Sequence, residues 1–338
     1  MKKIGLLLAL LGALAACAVP ADEATAALAP GRDARLTLYT SHKQAVYGPI
    51  VKEFQEETGI WVEVITGGTN ELLERIAAEA GQPVCDVMFG GGVESLCAYE
   101  SCFEPYACAG ADRLREGLRP EGDAWTPFSS LPLVFIYNPK LVEPDQLTGW
   151  ADLIDPRWKG KIAFADPTVS GSSYTAALTL LSCLPGDDWE LLEQFAANLD
   201  GDILADSGDV VGAVANGSRY LGVTLEETAL KGLGQGAEIA VFLPTEGTSA
   251  VPDGSALVAG APHAENAKAF LEFVQSRDVQ ELVVSQFSRR SVRTDVHDPD
   301  SLPPVEELDV IDYDVHWAAG LKEEFTARWL ALCGEERA

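Results

Sequence analysis

Apolar and polar positions along the first third of the chain alternate like a strand, then repeat like a helix, three times over. RLTLYT (35–40) alternates into a β-branched strand and stops at SHKQ. AVYGPIVKEFQEET then carries apolar residues at helical spacing and ends before Gly59. IWVEVI predicts a second strand stopped by TGGTN, and ELLERIAAEA predicts a helix ended by Gly81. CDVMFGGG predicts a third strand running into three glycines, with VESLCAYE after it. Three successive strand–loop–helix units predict an α/β architecture with a doubly wound parallel sheet.

A second α/β unit follows. SSLPLVFIYNPKLV (129–142) starts a new strand, and WADLIDPRWKGKIAFADP gives a short helix, a turn and a buried strand. That strand leads into ADPTVSGSSYTAAL (165–178), where an acid and a proline precede a run of hydroxyls and a helical pattern. WELLEQFAANLDG predicts an amphipathic helix, and SGDVVGAVANG a helix with Ser207 as N-cap and Asp209 in its first turn. YLGVTLEETALK reads as strand, loop and helix; AEIAVFLPTEGTSAVPDGSALVAG holds two strands. AENAKAFLEFVQS, RDVQELVVSQFS and GLKEEFTARWLALC predict the closing helices.

In such sheets ligands sit beyond the carboxyl ends of the strands, against helix N-termini. Those ends are TSHKQ, TGGTNE and FGGGVES in the first unit and PTVSGSSY in the second, all rich in glycine or hydroxyls. Close backbone approach to an anion needs such residues. The candidate ligand-binding residues are therefore Ser41, His42, Thr69, Asn70, Gly91, Gly92, Ser170, Ser172 and Ser173. Each has a purely structural reading too. Ser41 and His42 can cap the first helix, Thr69 and Asn70 the second, and the glycines can serve a tight turn.

Composition sets the setting. The chain has 338 residues, 47% hydrophobic, enough for two domains or one large one. Residues 1–16 read as a signal peptide, with a basic MKK start and an apolar stretch too short to span a bilayer as a mature helix. Its end, LAAC, resembles a lipoprotein lipobox, which implies cleavage before Cys17 and a lipid on that sulfur. The alternative is an ordinary secretory signal cut near AVPADE. Residues 17–34 then read as a lipid-anchored flexible linker on the extracytoplasmic face, in the periplasm or at the cell surface. Losing Lys2 and Lys3 with the leader takes the formal charge from −28 to −30, which argues against nucleic acid and anionic lipid surfaces as partners. The six further cysteines leave disulfides and buried free thiols equally open, and the 97/102/108 spacing does not match zinc knuckles. Neither a nucleophile elbow nor an HExxH signature is present, so no enzyme is expected.

TGWADLIDPRWKGKIAFADPTVSGSSYTAAL, with FQEETGIWVEV, FIYNPKLV and PTEGTSAVPDGSALV, resembles the extracellular solute-binding proteins of ABC importers. The likeness is to the branch of ferric-iron, phosphonate and sugar-phosphate binders, and runs from about residue 35 to about 335. It implies a monomer of the two-lobed type II periplasmic-binding-protein fold, two doubly wound sheets joined by crossover strands. Residues 35–130 and 246–338 would form lobe one and 131–245 lobe two, with LVFIYN and IAVFLP as the crossovers. PTVSGSSY would then face TSHKQ and TGGTNE across the cleft. The implied partners are a small anionic ligand and a permease with its ATPase; no cofactor is implied. Iron-binding members use a histidine and an acid from lobe one with two adjacent tyrosines from lobe two. His42 matches the histidine, but near GVTLEE there is only Tyr220, alone and a few residues early. Fe(III) is best served by anionic oxygens such as phenolates, so their absence weighs against iron without removing it as the alternative. Glu226-Glu227 stand there instead, with Asp206 and Asp209 upstream, and Glu226 and Asp209 are candidates to accept hydrogen bonds from sugar hydroxyls or an ammonium.

Overall fold

The computed structural model describes residues 30–118, 122, 124–298, 302 and 308–333. The leader, Cys17 and the linker up to residue 29 lie outside the described residues. The chain opens as expected: β1 (Arg35–Thr40), α1 (Gln44–Thr58), β2 (Trp61–Thr66), α2 (Thr69–Ala78), β3 (Val87–Gly92) and α3 (Val93–Ala98). Next come β4 (Thr126–Ser130), β5 (Leu133–Tyr137), β6 (Ile162–Ala163), α4 (Gly171–Cys183), α5 (Asp188–Leu199) and α6 (Asp209–Ala215). β7 (Leu221–Leu225), α7 (Glu226–Gly234), β8 (Ala240–Phe242), β9 (Pro252–Leu257), α8 (Ala264–Val274), α9 (Arg277–Phe287), β10 (Arg290–Ser291) and α10 (Val315–Cys333) complete it.

The strands form two sheets, ordered β10-β4-β9-β3-β1-β2 and β6-β7-β5-β8. β1 runs parallel to both β2 and β3, so the three expected loops emerge at one edge. β9 and β10 return late in the chain to pair antiparallel with β4, which makes the first sheet mixed rather than purely parallel. The chain crosses between sheets twice, from Ser130 to Leu133 and from Phe242 back to Pro252. The crossings are tied together where Leu133 N donates to Ser249 O (3.0 Å) and Thr248 Oγ1 to Leu133 O (2.8 Å). This is a two-lobed α/β fold.

Each lobe has its own aromatic core. Phe54, Phe89, Phe128 and Phe270 pack beneath the first sheet, Phe135, Trp150, Phe164 and Phe195 beneath the second. The last helix spans both. Phe325 and Trp329 enter the second lobe's core, and Tyr174 Oη donates to Ala318 O at 2.5 Å. From the same helix, Lys322 Nζ donates to Ser95 Oγ in the first lobe at 2.9 Å. Within the stretch 246–338, expected with lobe one, Val315–Cys333 therefore packs on both lobes. Cys85, Cys97, Cys102 and Cys183 are free thiols, and burial pushes the Cys97 thiol up to about 11 and the Cys183 thiol up to about 12.

Lys322 is buried, and desolvation of its ammonium lowers its pKa from 10.5 to about 8. The unfolded chain then holds this proton to a higher pH than the folded one. Folding stability therefore rises with pH between those values, by up to about 1.4 kcal/mol per unit. Denaturant unfolding from pH 7 to 10.5 should show that rise in wild type relative to Lys322→Met; parallel curves would contradict it.

Candidate functional site

Four loops and a pair of arginines meet where the lobes touch. In the first loop Thr40 Oγ1 donates to Phe89 O (2.7 Å) and accepts from His42 N (3.1 Å), which turns His42 inward. Its ring stands edge-on to Phe89 at 4.5 Å, with Nε2 3.4 Å from Asp253 Oδ2. Burial, helped by the neighbouring Arg289 charge, holds the imidazole well below its usual pKa, so the ring is neutral. The cap position of α1 is Lys43 rather than Ser41; the Lys43 ammonium reaches Asp206 of the other lobe at 2.7 Å.

Thr69 and Asn70 are the first residues of α2 rather than its caps; Gly68 occupies the cap position. Both side chains are used across the lobe boundary. Asn70 Nδ2 donates to Thr168 O at 2.7 Å, while Thr69 packs against two glycines. A methyl added to Gly91 (φ +96°) would lie 2.5 Å from Thr69 Cγ2, and one added to Gly171 would lie 3.2 Å from Thr69 Oγ1. Gly92 lies as close to Glu94, since a methyl there would fall 2.5 Å from its carboxylate oxygens. These glycines allow the approach of backbone to side chain that a turn alone would not require.

On the opposite lobe the hydroxyl-rich loop folds on itself. Asp166 Oδ1 accepts from Thr168 N (3.0 Å) and Thr168 Oγ1 (2.7 Å), and Asp166 O accepts from Ser170 N (2.8 Å). Ser170 caps α4 by accepting from Ser173 N, and the Ser170 and Ser172 hydroxyls are 3.2 Å apart. Thr69 opens α2 and Gly171 opens α4, so two helix N-termini face each other across the boundary. No acidic residue lies in the first turn of α4.

The arginines were not legible as site residues. Arg289 Nη1 binds Asp253 Oδ2 (2.8 Å) and Nη2 reaches Glu227 Oε1 of the other lobe (3.3 Å). Asp253 also accepts from Ser129 N and Oγ at 2.8 and 2.6 Å. Arg290 grips both oxygens of Glu226, at 2.8 and 3.0 Å. Five buried side-chain atoms at this boundary have no hydrogen-bond partner: His42 Nε2, Asn70 Oδ1, Glu94 Oε2, Arg289 Nε and Tyr313 Oη. Leaving such a group unpaired costs about 1–3 kcal/mol, so each of these atoms is open to a polar partner.

A family model described as bacterial extracellular solute-binding protein matches residues 84–316, more than half the chain. The chain belongs to this family. It is thus an extracytoplasmic solute-binding protein of an ABC importer, whose kind binds small molecules and hands them to a permease. Iron uptake protein A1 of Synechocystis is 29% identical over 76% of each chain. A putative 2-aminoethylphosphonate-binding periplasmic protein of Salmonella typhimurium is 26% identical over 72% of this chain and 73% of its own. In fold, the protein is similar to the periplasmic binding protein AfuA from Actinobacillus pleuropneumoniae, solved with fructose 6-phosphate bound. Its TM-score is 0.81 at 23% identity, covering 89% of this chain and 98% of that one.

Within the solute-binding protein, Ser41, His42 and Ser170 lie on loops, Gly91 and Gly92 end β3, Thr69 and Asn70 open α2, and Ser172 and Ser173 lie in the first turn of α4; these segments meet at the boundary. The two carboxylates do not join them as free acceptors. Glu226 is engaged by Arg290, and Asp209 is exposed on α6, whose cap position is Gly208 and not Ser207.

Arg290 is almost fully buried with its partner. Removing one member should cost about 3–5 kcal/mol by stranding the other's charge, whereas replacing both with apolar side chains is close to neutral. Chemical denaturation of Arg290→Met, Glu226→Met and the double variant should show two weakened singles and a double near wild type. Additive losses would mean that the pair does not act as one.

Proposed function

We propose that the solute-binding protein captures a small organic oxyanion, a sugar phosphate or a phosphonate, between its lobes. The observation that carries this reading is the meeting of the α2 and α4 N-termini at Thr69 and Gly171. Each helix start carries roughly half a positive charge on backbone N–H groups that the helix itself leaves without a carbonyl partner, and bringing two together favours an anion between them. Arg289 Nε and His42 Nε2, both buried and unpartnered, supply further hydrogen-bonding capacity nearby. The Actinobacillus structure and the Salmonella relative carry such ligands in their names, which agrees with this chemistry.

The Synechocystis relative is named for iron, the second reading. The donor set favours the organic anion. Among the described residues no three His, Cys, Asp or Glu side chains converge as a metal site. Tyr220 precedes β7, and five strand residues put roughly 16 Å between it and the boundary where α7 begins. The charge of −28 slows an anion's arrival, but ions screen it beyond about 8 Å at physiological ionic strength.

Residues 35–130 with 246–338, and residues 131–245, are the two bodies proposed to open and close about the crossings, with α10 strapped over both. The ligand stabilises the closed arrangement through its higher affinity for it. The closed monomer then docks on the permease, and a lipid on Cys17 keeps it at the extracytoplasmic membrane face. The protein is a binder and not an enzyme.

Thermal-shift measurements with fructose 6-phosphate, 2-aminoethylphosphonate, inorganic phosphate and ferric citrate, with and without chelator, test this reading. An organic phosphate or phosphonate at a hundred times its dissociation constant should add about 2.7 kcal/mol, indifferent to chelator. Ser172→Ala combined with Thr69→Ala should abolish that shift with the fold intact. Arg289→Lys, which keeps the charge beside Asp253, should weaken it tenfold or more. A shift from ferric citrate alone, removed by chelator, would overturn the reading.

A further inference from the structure

Glu94 is the carboxylate at the lobe boundary that the oxyanion reading leaves unused. Its side chain is fully buried, at 0% exposure. One oxygen accepts from Thr175 Oγ1 across the boundary and the other, Oε2, has no partner. Four acids at the boundary are claimed by cations: Asp253 by Arg289, Glu226 by Arg290, Glu227 by Arg289 and Asp206 by Lys43. Among the described residues Glu94 forms no ion pair. The nearest ammonium, that of Lys322, is turned to Ser95 Oγ at 2.9 Å and to the face of Tyr174 at 4.2 Å.

Glu94 also stands in register with the proposed anion site. Gly90 lies against His42, since a methyl there would be 2.9 Å from Nε2, and Gly92 lies against Glu94, since a methyl there would be 2.5 Å from its carboxylate oxygens. Two residues of chain separate those glycines by no more than about 7 Å. We infer that Glu94 is a specificity-determining residue that accepts a hydrogen bond from a donor on the bound oxyanion, an ammonium or a hydroxyl carried within about 7 Å of the anionic head. This rests on the oxyanion reading and adds a demand to it: an anion without a donor arm leaves Oε2 unmet. A site built to meet a donor discriminates strongly against the analogue that lacks it. Burial raises the Glu94 pKa, and an ammonium brought against it would restore the charged form.

Titration calorimetry on the purified protein uses two probe pairs. These are 2-aminoethylphosphonate against ethylphosphonate, and fructose 6-phosphate against inorganic phosphate. Wild type should bind the donor-bearing member of at least one pair tenfold or more tightly. Glu94→Gln should collapse that ratio towards one while leaving ethylphosphonate and phosphate affinities unchanged. An ammonium arm should lose more than tenfold, a hydroxyl arm less, because glutamine still accepts from a hydroxyl. Glu94→Asp, which retracts the carboxylate by one methylene, should retain part of the ratio; melting curves of both variants verify their folding. A wild-type ratio near one, or a ratio untouched in folded Glu94→Gln, overturns the inference and leaves anion binding standing. Failure of wild type to bind any of the four probes overturns both.

Discussion

The contact of Thr69 with Gly171 is the constraint from which the rest of the boundary follows. It sets the start of α2, where the Glu71 carboxylate accepts from Gly68 N at 3.3 Å, against the start of α4, which has no acid in its first turn. Glycine is required at position 91, where φ is +96° and a methyl would lie 2.5 Å from Thr69 Cγ2, and a methyl at Gly171 would crowd Thr69 Oγ1 at 3.2 Å. Asn70 and Glu94 then reach the other lobe because Thr69 has drawn it near. The surrounding charges compensate one another in pairs, which leaves a few uncharged or unpartnered atoms to meet a ligand.

Those pairs divide into two kinds. Arg290 with Glu226 lies beside the first crossing, where Glu226 N also donates to Pro132 O at 2.8 Å, so it belongs to the pivot. Arg289 lies one residue away and serves both lobes, held by Asp253 of its own and Glu227 of the other. In the proposed closure, an anion that engages Arg289 would act on a group that touches both lobes, and through it the ligand's differential affinity would become a change in shape.

Much of the first lobe was legible because β1, β2 and β3 follow one another with their helices between them, and period alone identifies such units. The loops at their ends were legible from glycine and hydroxyl content. Arg289 and Arg290 were not, because they reach the site through the pairing of β10 with β4, some 160 residues apart in sequence. A local signal did exist: two adjacent arginines directly after an amphipathic helix, in a chain where acids outnumber Lys and Arg by 52 to 24. Glu94 was not singled out, because nothing in VESLCAYE marks the burial that sets this first-turn acid apart. Glu226 was drawn to the right place for another purpose, since sequence could not show that Arg290 would consume it. The caps at Ser41, Thr69 and Ser207 failed for a common reason. At each of these helix starts the serine or threonine lies off the cap position, which Lys43, Gly68 and Gly208 occupy.

The central claim is that an oxyanion sits between the starts of α2 and α4. Amide NMR of the isotopically labelled protein during titration with fructose 6-phosphate or 2-aminoethylphosphonate tests it most directly. The account predicts that the backbone amides of residues 69–71 and 171–173 shift together, saturably and with one dissociation constant. Saturable binding that moves other amides and leaves both helix starts unchanged would contradict it.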